Sequence, residues 1–188
     1  MTEVPKIEKG KIYTFEDYRS WPESFRCEII DGVAYVKSTP FVKHQRTSGN
    51  LLLVICNFLD RKKHVFLPGP LEVKLTTING LDTVVEPDLL IICDKSKLNE
   101  RGCHGAPEII IEITSHETAI LDCFTKYRKY LNEGVKEYWI VDPETESINL
   151  CILNGDSYIT KIFTKDDVLH SQLLKGFELK LSEVFEQI

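Results

Sequence analysis

The sequence predicts a mixed α/β domain of the α+β kind, with a mixed central sheet flanked by helices and hairpins at its periphery. Three features predict it. Apolar runs of strand length recur (RCEII, LLIICD, EIIIEI, YWIV), and two segments, near 41–59 and 115–134, carry apolar residues at helical spacing. The pairs Asp31-Gly32, Asn79-Gly80 and Asn154-Gly155 fall where turns between strands belong.

Taken in order, YTFEDYRSWPES reads as a short capped helix entering a turn. FRCEIIDGVAYVKS is a hairpin, because aspartate and glycine tolerate the positive φ of a tight primed turn and the flanking apolar runs can pair across it. From Phe41 to Leu59, the residues Leu51, Leu52, Ile55, Phe58 and Leu59 form the stripe of an amphipathic helix. LPGPLEVKLTT and VVEPDLLIICD are strands joined through Asn79-Gly80, and DKSKLNERGCHGAP is a loop leading to the strand EIIIEITS. Ser115 is placed to cap a second helix, with Ile120, Phe124, Tyr127 and Leu131 as its buried stripe and Gly134 as its stop. VKEYWIVDP, SINLCIL and SYITKIF follow as strands, and GFELKLSEVFEQI as a short strand with a final helical turn.

A chain of 188 residues, 43% hydrophobic and 28% charged, suits one domain over 1–188, its residues 1–12 forming a loosely packed N-terminal segment. The N-terminus has no apolar signal core and no stretch approaches the roughly 18 apolar residues that span a bilayer, so a cytoplasmic protein without membrane contact is expected. The six cysteines, at 27, 56, 93, 103, 123 and 151, include no CxxC pair and read as reduced core thiols. A net charge of −6 excludes coating of nucleic acid by bulk charge, while leaving room for a local site. The basic clusters RKKH at 61–64 and Lys43, His44, Arg46 read as solvated helix ends or faces.

Two acids stand out against this apolar background. Asp88 opens the run LLIICD, and Glu112 lies among Ile109, Ile110, Ile111 and Ile113. An ionised carboxylate in an apolar run costs several kcal/mol unless it is paired, hydrogen-bonded or metal-bound. If the two strands are neighbours, their carboxylates converge at one sheet edge and can hold a divalent cation of the Mg²⁺ or Mn²⁺ type. Such a cation activates water and neutralises charge developing on a phosphodiester. Lys126 follows in the next helix, and Glu28 sits in the otherwise apolar strand of RCEIIDG. Each has a plainer reading: Asp88 as a strand-entry acid after Pro87, Glu112 as the partner of an arginine, Lys126 as a solvated lysine, Glu28 as an ion pair with Arg26.

The order Asp88 in EPD, Glu112 in an apolar strand, then a lysine resembles the PD-(D/E)XK nuclease superfamily. RCEIIDG, EPDLLIICDKSKLNERGCHGAPEIIIEITS and DCFTKYRKYLNEGVKEYWIVDPE together resemble the Uma-type putative restriction endonuclease family, from about Thr14 to the C-terminus. The resemblance implies a restriction-endonuclease-like fold and a metal-dependent phosphodiesterase acting on DNA. Asp88, Glu112 and Glu28 would be its metal ligands, and Lys126 would stabilise the attacking hydroxide or the transition-state charge. The motif lysine belongs two residues after the glutamate, where this chain has Thr114; Lys126 in TKYRKY matches a lysine displaced onto the helix, with Asp122 one turn before it as a partner or a solvated acid. The alternatives are a catalytically inactive module of the same fold binding nucleic acid or protein and, ranked last, a glycosidase using the acid pair. YWIVDP and SYITKIF are candidates for a homodimer interface or for the core.

Overall fold

Thr14 opens the first helix. Its hydroxyl accepts from the Asp17 N–H and the Asp17 carboxylate accepts from the Thr14 N–H, so α1 (Phe15–Ser20) starts in a reciprocal capping box. The structure, a computed structural model, describes residues 5–59, 63–76 and 79–186. Next come β1 (Cys27–Ile30), β2 (Val33–Val36), α2 (Val42–Phe58), β3 (Val65–Pro68), β4 (Glu72–Lys74), β5 (Val84–Val85) and β6 (Leu89–Ile92). After a 3₁₀ turn at Lys95–Lys97 follow β7 (Gly102–His104), β8 (Ile109–Ile113) and a π-helical segment, Leu121–Lys126, that runs into α3 (Tyr127–Asn132). The chain ends with β9 (Glu137–Asp142), β10 (Ser147–Asn154), β11 (Ser157–Thr164), β12 (Val168–His170), β13 (Glu178–Lys180) and α4 (Leu181–Phe185).

The central sheet has the order β11-β10-β9-β8-β6-β3, and β8 and β9 are its parallel pair. Parallel neighbours need a crossover, and the helical segment between Ser115 and Asn132 supplies it. A second sheet, β2-β1-β5-β4-β7, packs over one face, and β12 pairs with β13. Strand alternation divides the core in two. Leu89, Ile91, Ile109, Ile111 and Trp139 face Leu51 and Ile55 of α2, whereas Leu90, Ile92, Ile110, Tyr138 and Ile140 face Ile30, Val73 and Val85 of the second sheet. A sheet covered on both faces explains why its strands read as unbroken apolar runs.

The expected turns form where they were read. Asp31 and Gly32 take φ of 48° and 76° between β1 and β2, and Asn79 and Gly80 take 55° and 75° between β4 and β5. The amphipathic helix at 41–59 forms as α2, with Leu51, Ile55 and Leu59 buried. Phe58 is its exception, more exposed but edge-on to Phe177 with ring centroids 5.1 Å apart.

Three expectations are corrected. The loop after Asp94 is partly ordered: its residues 102–104 form β7, which runs parallel to β4. The stretch at 168–170, unassigned in the sequence reading, is β12. The second helix keeps half of its expected stripe, with Tyr127 and Leu131 packed against the core, but Ile120 and Phe124 are exposed and Asp122, Lys126, Lys129 and Tyr130 are buried in addition. Ser115 does cap the turn that starts it, accepting from the Thr118 N–H at 3.3 Å, but the π-helical geometry then shifts the phase of the helix. The strand YWIVD is core, whereas β11 is an edge strand with Ile159 and Ile162 exposed. Residues 1–4 of the N-terminal segment and 61–62 of the basic run lie outside the described residues. Among the described residues, no helix is long and apolar enough to cross a membrane.

Candidate active site

Sheet register brings the two acids together. β6 lies antiparallel beside β8 with Leu89 opposite Ile111, so Asp88, one step before Leu89, falls beside the residues around Glu112. The Ile113 N–H donates to Asp88 Oδ2 at 2.8 Å, fixing the carboxylate at the strand end. Glu112 belongs to the alternating set that includes Ile110, so it points into the layer where the second sheet and the π-helical segment pack. Glu28 reaches the same layer from β1. Glu28, Asp88, Glu112 and Lys126 all line one cavity of about 660 Å³, although Glu28 and Lys126 are 98 residues apart in sequence.

Lys126 is the centre of this cluster. Its Nζ lies 2.9 Å from Glu28 Oε2, 2.9 Å from Glu112 Oε1 and 3.5 Å from Asp122 Oδ1, all four side chains being almost fully buried. The Tyr130 hydroxyl, one turn further on, donates to Glu112 Oε1 at 2.8 Å. Lys37 adds a second cation: its Nζ donates to Glu28 Oε1 at 3.3 Å and to the Glu86 carbonyl at 2.7 Å. Glu28 Oε1 also accepts the Glu86 N–H at 2.8 Å. From the first turn of α2, His44 Nε2 lies 3.2 Å from Asp88 Oδ2. An ionised carboxylate only accepts, so His44 is the donor there.

The charges around the cavity do not cancel. Glu28, Asp88, Glu112 and Asp122 face two ammonium groups, Lys37 and Lys126. Burial pushes Glu112 up to about 8; Lys126 opposes the rise and the nearby Glu28, Asp122 and Asp88 add to it. Asp122 is raised for the same reasons, burial first and then like charge, against the pull of Lys126. Burial would also raise Glu28 and Asp88, but they stay below the ordinary carboxylate range. Lys126, Lys37 and the Glu86 N–H hold Glu28 down, and His44, Lys37 and the Ile113 N–H hold Asp88 down. Lys126 is driven well above its usual value because its three carboxylates outweigh its desolvation.

The residues sort by what their atoms touch. Among the described residues none donates a hydrogen bond to Asp88 Oδ1 or Glu112 Oε2, which leaves both oxygens with ligand capacity. Glu28 Oε1 accepts from Lys126, Lys37 and the Glu86 N–H, whereas the buried Glu28 Oε2 has no hydrogen-bond partner among the described residues and only the Lys126 ammonium, 2.9 Å away, beside it. Among the described residues no group of three or more His, Cys, Asp or Glu side chains is arranged to hold a metal, so Glu28, Asp88 and Glu112 share the cavity without forming a three-carboxylate shell.

Several plainer readings give way to this geometry. Glu112 meets Lys126 and Tyr130 rather than an arginine, Lys126 is buried rather than solvated, and Asp122 pairs with it. Arg26 pairs with Glu86 at 3.2 Å rather than with Glu28. His44, expected on a solvated basic face, is instead turned onto Asp88, and Lys37 and Tyr130 were not among the expected site residues. Tyr130 carried a local signal, since it sits four residues after Lys126 on the same helical face. Lys37 follows β2 and returns beside β1, its N–H bonding the Arg26 carbonyl, which the hairpin register implies. His44 had only its place in a small basic cluster, because its partner Asp88 is 44 residues away.

Comparison with known proteins bears on the fold and the family of the chain. An uncharacterized protein (slr1290) of Synechocystis sp. (strain ATCC 27184 / PCC 6803 / Kazusa) is 26% identical over 144 residues, covering 75% of this chain and 74% of that protein. A solved structure, a putative nuclease belonging to DUF820 from Anabaena variabilis ATCC 29413, superposes with a TM-score of 0.75 at 18% identity, covering 92% of this chain and 97% of that one. That likeness establishes a shared mixed α/β fold. The family model described as "Putative restriction endonuclease" (Uma2) matches residues 15–182, nearly the whole described molecule, and the chain belongs to that family.

Proposed function

We propose that this protein is a Mg²⁺- or Mn²⁺-dependent endonuclease that hydrolyses phosphodiester bonds of DNA. One observation carries the reading. Asp88, Glu112 and Lys126, in the order the nuclease motif requires, come from two neighbouring strands and the following helix to the wall of a single cavity.

The donor set suits a divalent cation. With all four ionised, Glu28, Asp88, Glu112 and Asp122 would exceed Lys37 and Lys126 by two charges, a load that Glu112 relieves by keeping its proton and that a cation would relieve in its place, and Asp88 Oδ1 and Glu112 Oε2 accept no hydrogen bond among the described residues. Asp88 and Glu112 would hold the ion, with water and a phosphate oxygen completing its shell, as is usual for Mg²⁺. When bound, it would supply Lewis-acid stabilisation and an activated water. The chain's own residues do the rest. Lys126 brings a permanent ammonium charge to the place where negative charge builds on the phosphate. Glu28 and Asp122 position that ammonium, which is how a lysine twelve residues beyond Thr114 can occupy the point the motif normally fills at Thr114. His44 and the Ile113 N–H hold Asp88 ionised and oriented.

A second reading, a non-catalytic binding module, draws on the saturation of Lys126 by three carboxylates, an arrangement a purely structural cation would also show. One experiment separates them. Asp88→Ala should abolish cleavage of plasmid and oligonucleotide DNA in MnCl₂ or MgCl₂ while its unfolding temperature stays within a few degrees of wild type. Cleavage by the purified variant at the wild-type rate, or no cleavage by wild type in either salt, removes the nuclease.

A further inference from the structure

The walls above the acid floor are unlike a surface that grips double-stranded DNA. Among the described residues each basic side chain lining the cavity already faces an acid, Arg26 with Glu86, Lys37 with Glu28, His44 with Asp88 and Lys126 with three acids, although Arg26 Nε and His44 Nδ1 have no hydrogen-bond partner. The rim is apolar instead, with Val36, Phe41 and Ile120 lining the cavity at 61, 62 and 77% exposure. It also carries an acid. Ser38 Oγ donates to Glu117 Oε2 at 2.9 Å, linking the segment before α2 to the turn before the π-helical segment, and both residues line the cavity. Duplex binding draws its affinity from phosphates neutralised by lysine and arginine, and among the described residues this rim offers no lysine or arginine without an acidic partner. Single strands draw on charge as well, but they gain a further share of affinity from stacking of bases on aromatic faces, which a closed duplex cannot offer.

The floor makes the same demand. Glu112 and Lys126 are buried, so a phosphodiester can reach them only if its strand enters the cavity. A paired strand must first be unstacked and unpaired, at a cost that is smallest where the DNA is already open. We propose, on the basis of the nuclease reading of this site, that the cavity takes an unpaired stretch of DNA with a base lying on Phe41, and discriminates against intact duplex.

The test is fluorescence anisotropy with a labelled oligonucleotide, single-stranded and annealed to its complement, in EDTA and again with CaCl₂, strand integrity being checked on a gel. The single strand should bind about tenfold more tightly than the duplex; Phe41→Ala should lose about tenfold for the single strand, and Phe41→Trp should keep it, as loss of one stacked base implies. Ile162→Ala, on the exposed edge strand, should change neither affinity. Equal or tighter binding of the duplex, no loss in Phe41→Ala, or no binding of either DNA overturns the proposal; the first two leave the apolar rim to a protein contact. The outcome is separable from catalysis. Binding of the single strand that depends on Phe41 without any cleavage keeps this inference and drops the nuclease, whereas Asp88-dependent cutting with tighter duplex binding drops this inference alone.

Discussion

At the scale of single residues the site is a problem of buried charge. Lys126 has three carboxylates within 3.5 Å, and one ammonium cannot neutralise three acids in a medium that screens poorly. Glu112 absorbs the mismatch by holding its proton up to about 8. In metal-free buffer, between the ordinary carboxylate pKa and about 8, the folded protein therefore binds a proton at Glu112 that the unfolded chain has released. Stability falls as pH rises through that window, by up to about 1.4 kcal/mol per pH unit for one proton. Glu112→Gln removes the titration, so the variant should gain unfolding temperature relative to wild type between pH 5 and pH 8. Thermal melts in EDTA at both pH values check it; a difference that stays flat or shrinks shows that Glu112 ionises at its ordinary pKa.

At the scale of elements, the acids are placed by backbone contacts as much as by their own chemistry. The Gly69 N–H donates to the Asp88 carbonyl at 2.7 Å, and a Cβ on Gly69 would stand 2.4 Å from the Pro87 carbonyl oxygen. That oxygen belongs to the main chain, so nothing flexible can swing aside. Gly69→Ala should push Pro87 and Asp88 away from the β3 side and so shift Asp88 against β8, destabilising the protein by about 1–3 kcal/mol and lowering kcat with little change in KM. Denaturant unfolding with steady-state kinetics tests this, and wild-type kcat in the variant would show that the Asp88 position tolerates the shift. The π-helical segment works in the same direction. It turns Asp122 and Lys126 inward and leaves Ile120 and Phe124 outside, so the first turns serve the site while Tyr127 and Leu131 further on pack against the core.

At the scale of the whole molecule, the cavity exists because two sheets and a crossover helix meet around one end of β6 and β8. A ligand that binds only this assembled state stabilises it by mass action. With about 10 mM MnCl₂ and a dissociation constant of roughly 1 mM, linkage gives about 1.4 kcal/mol. For a domain of this size that is a rise in Tm of about 3–6 °C. Wild type should show the rise and Asp88→Ala should not. A rise of equal size in both would place the cation away from the acid pair.

Much of the architecture is local information, which is why it could be read in the sequence. Positive-φ pairs such as Asp31-Gly32 specify hairpins, the Thr14/Asp17 box starts a helix, and unbroken apolar runs specify strands covered on both faces. The acids Asp88, Glu112 and Glu28 were visible because a carboxylate in such a run demands a partner. What the sequence could not supply was the partner itself. Whether Glu112 met an arginine or Lys126, whether Arg26 took Glu28 or Glu86, and whether His44 was solvated or aimed at Asp88 depended on which distant elements packed together. The same holds for the second helix, where apolar periodicity pointed to Ile120 and Phe124 as buried. The tertiary structure buried Asp122 and Lys126 instead, because pairing with Glu28 and Glu112 offsets a desolvation that helical periodicity alone does not take into account.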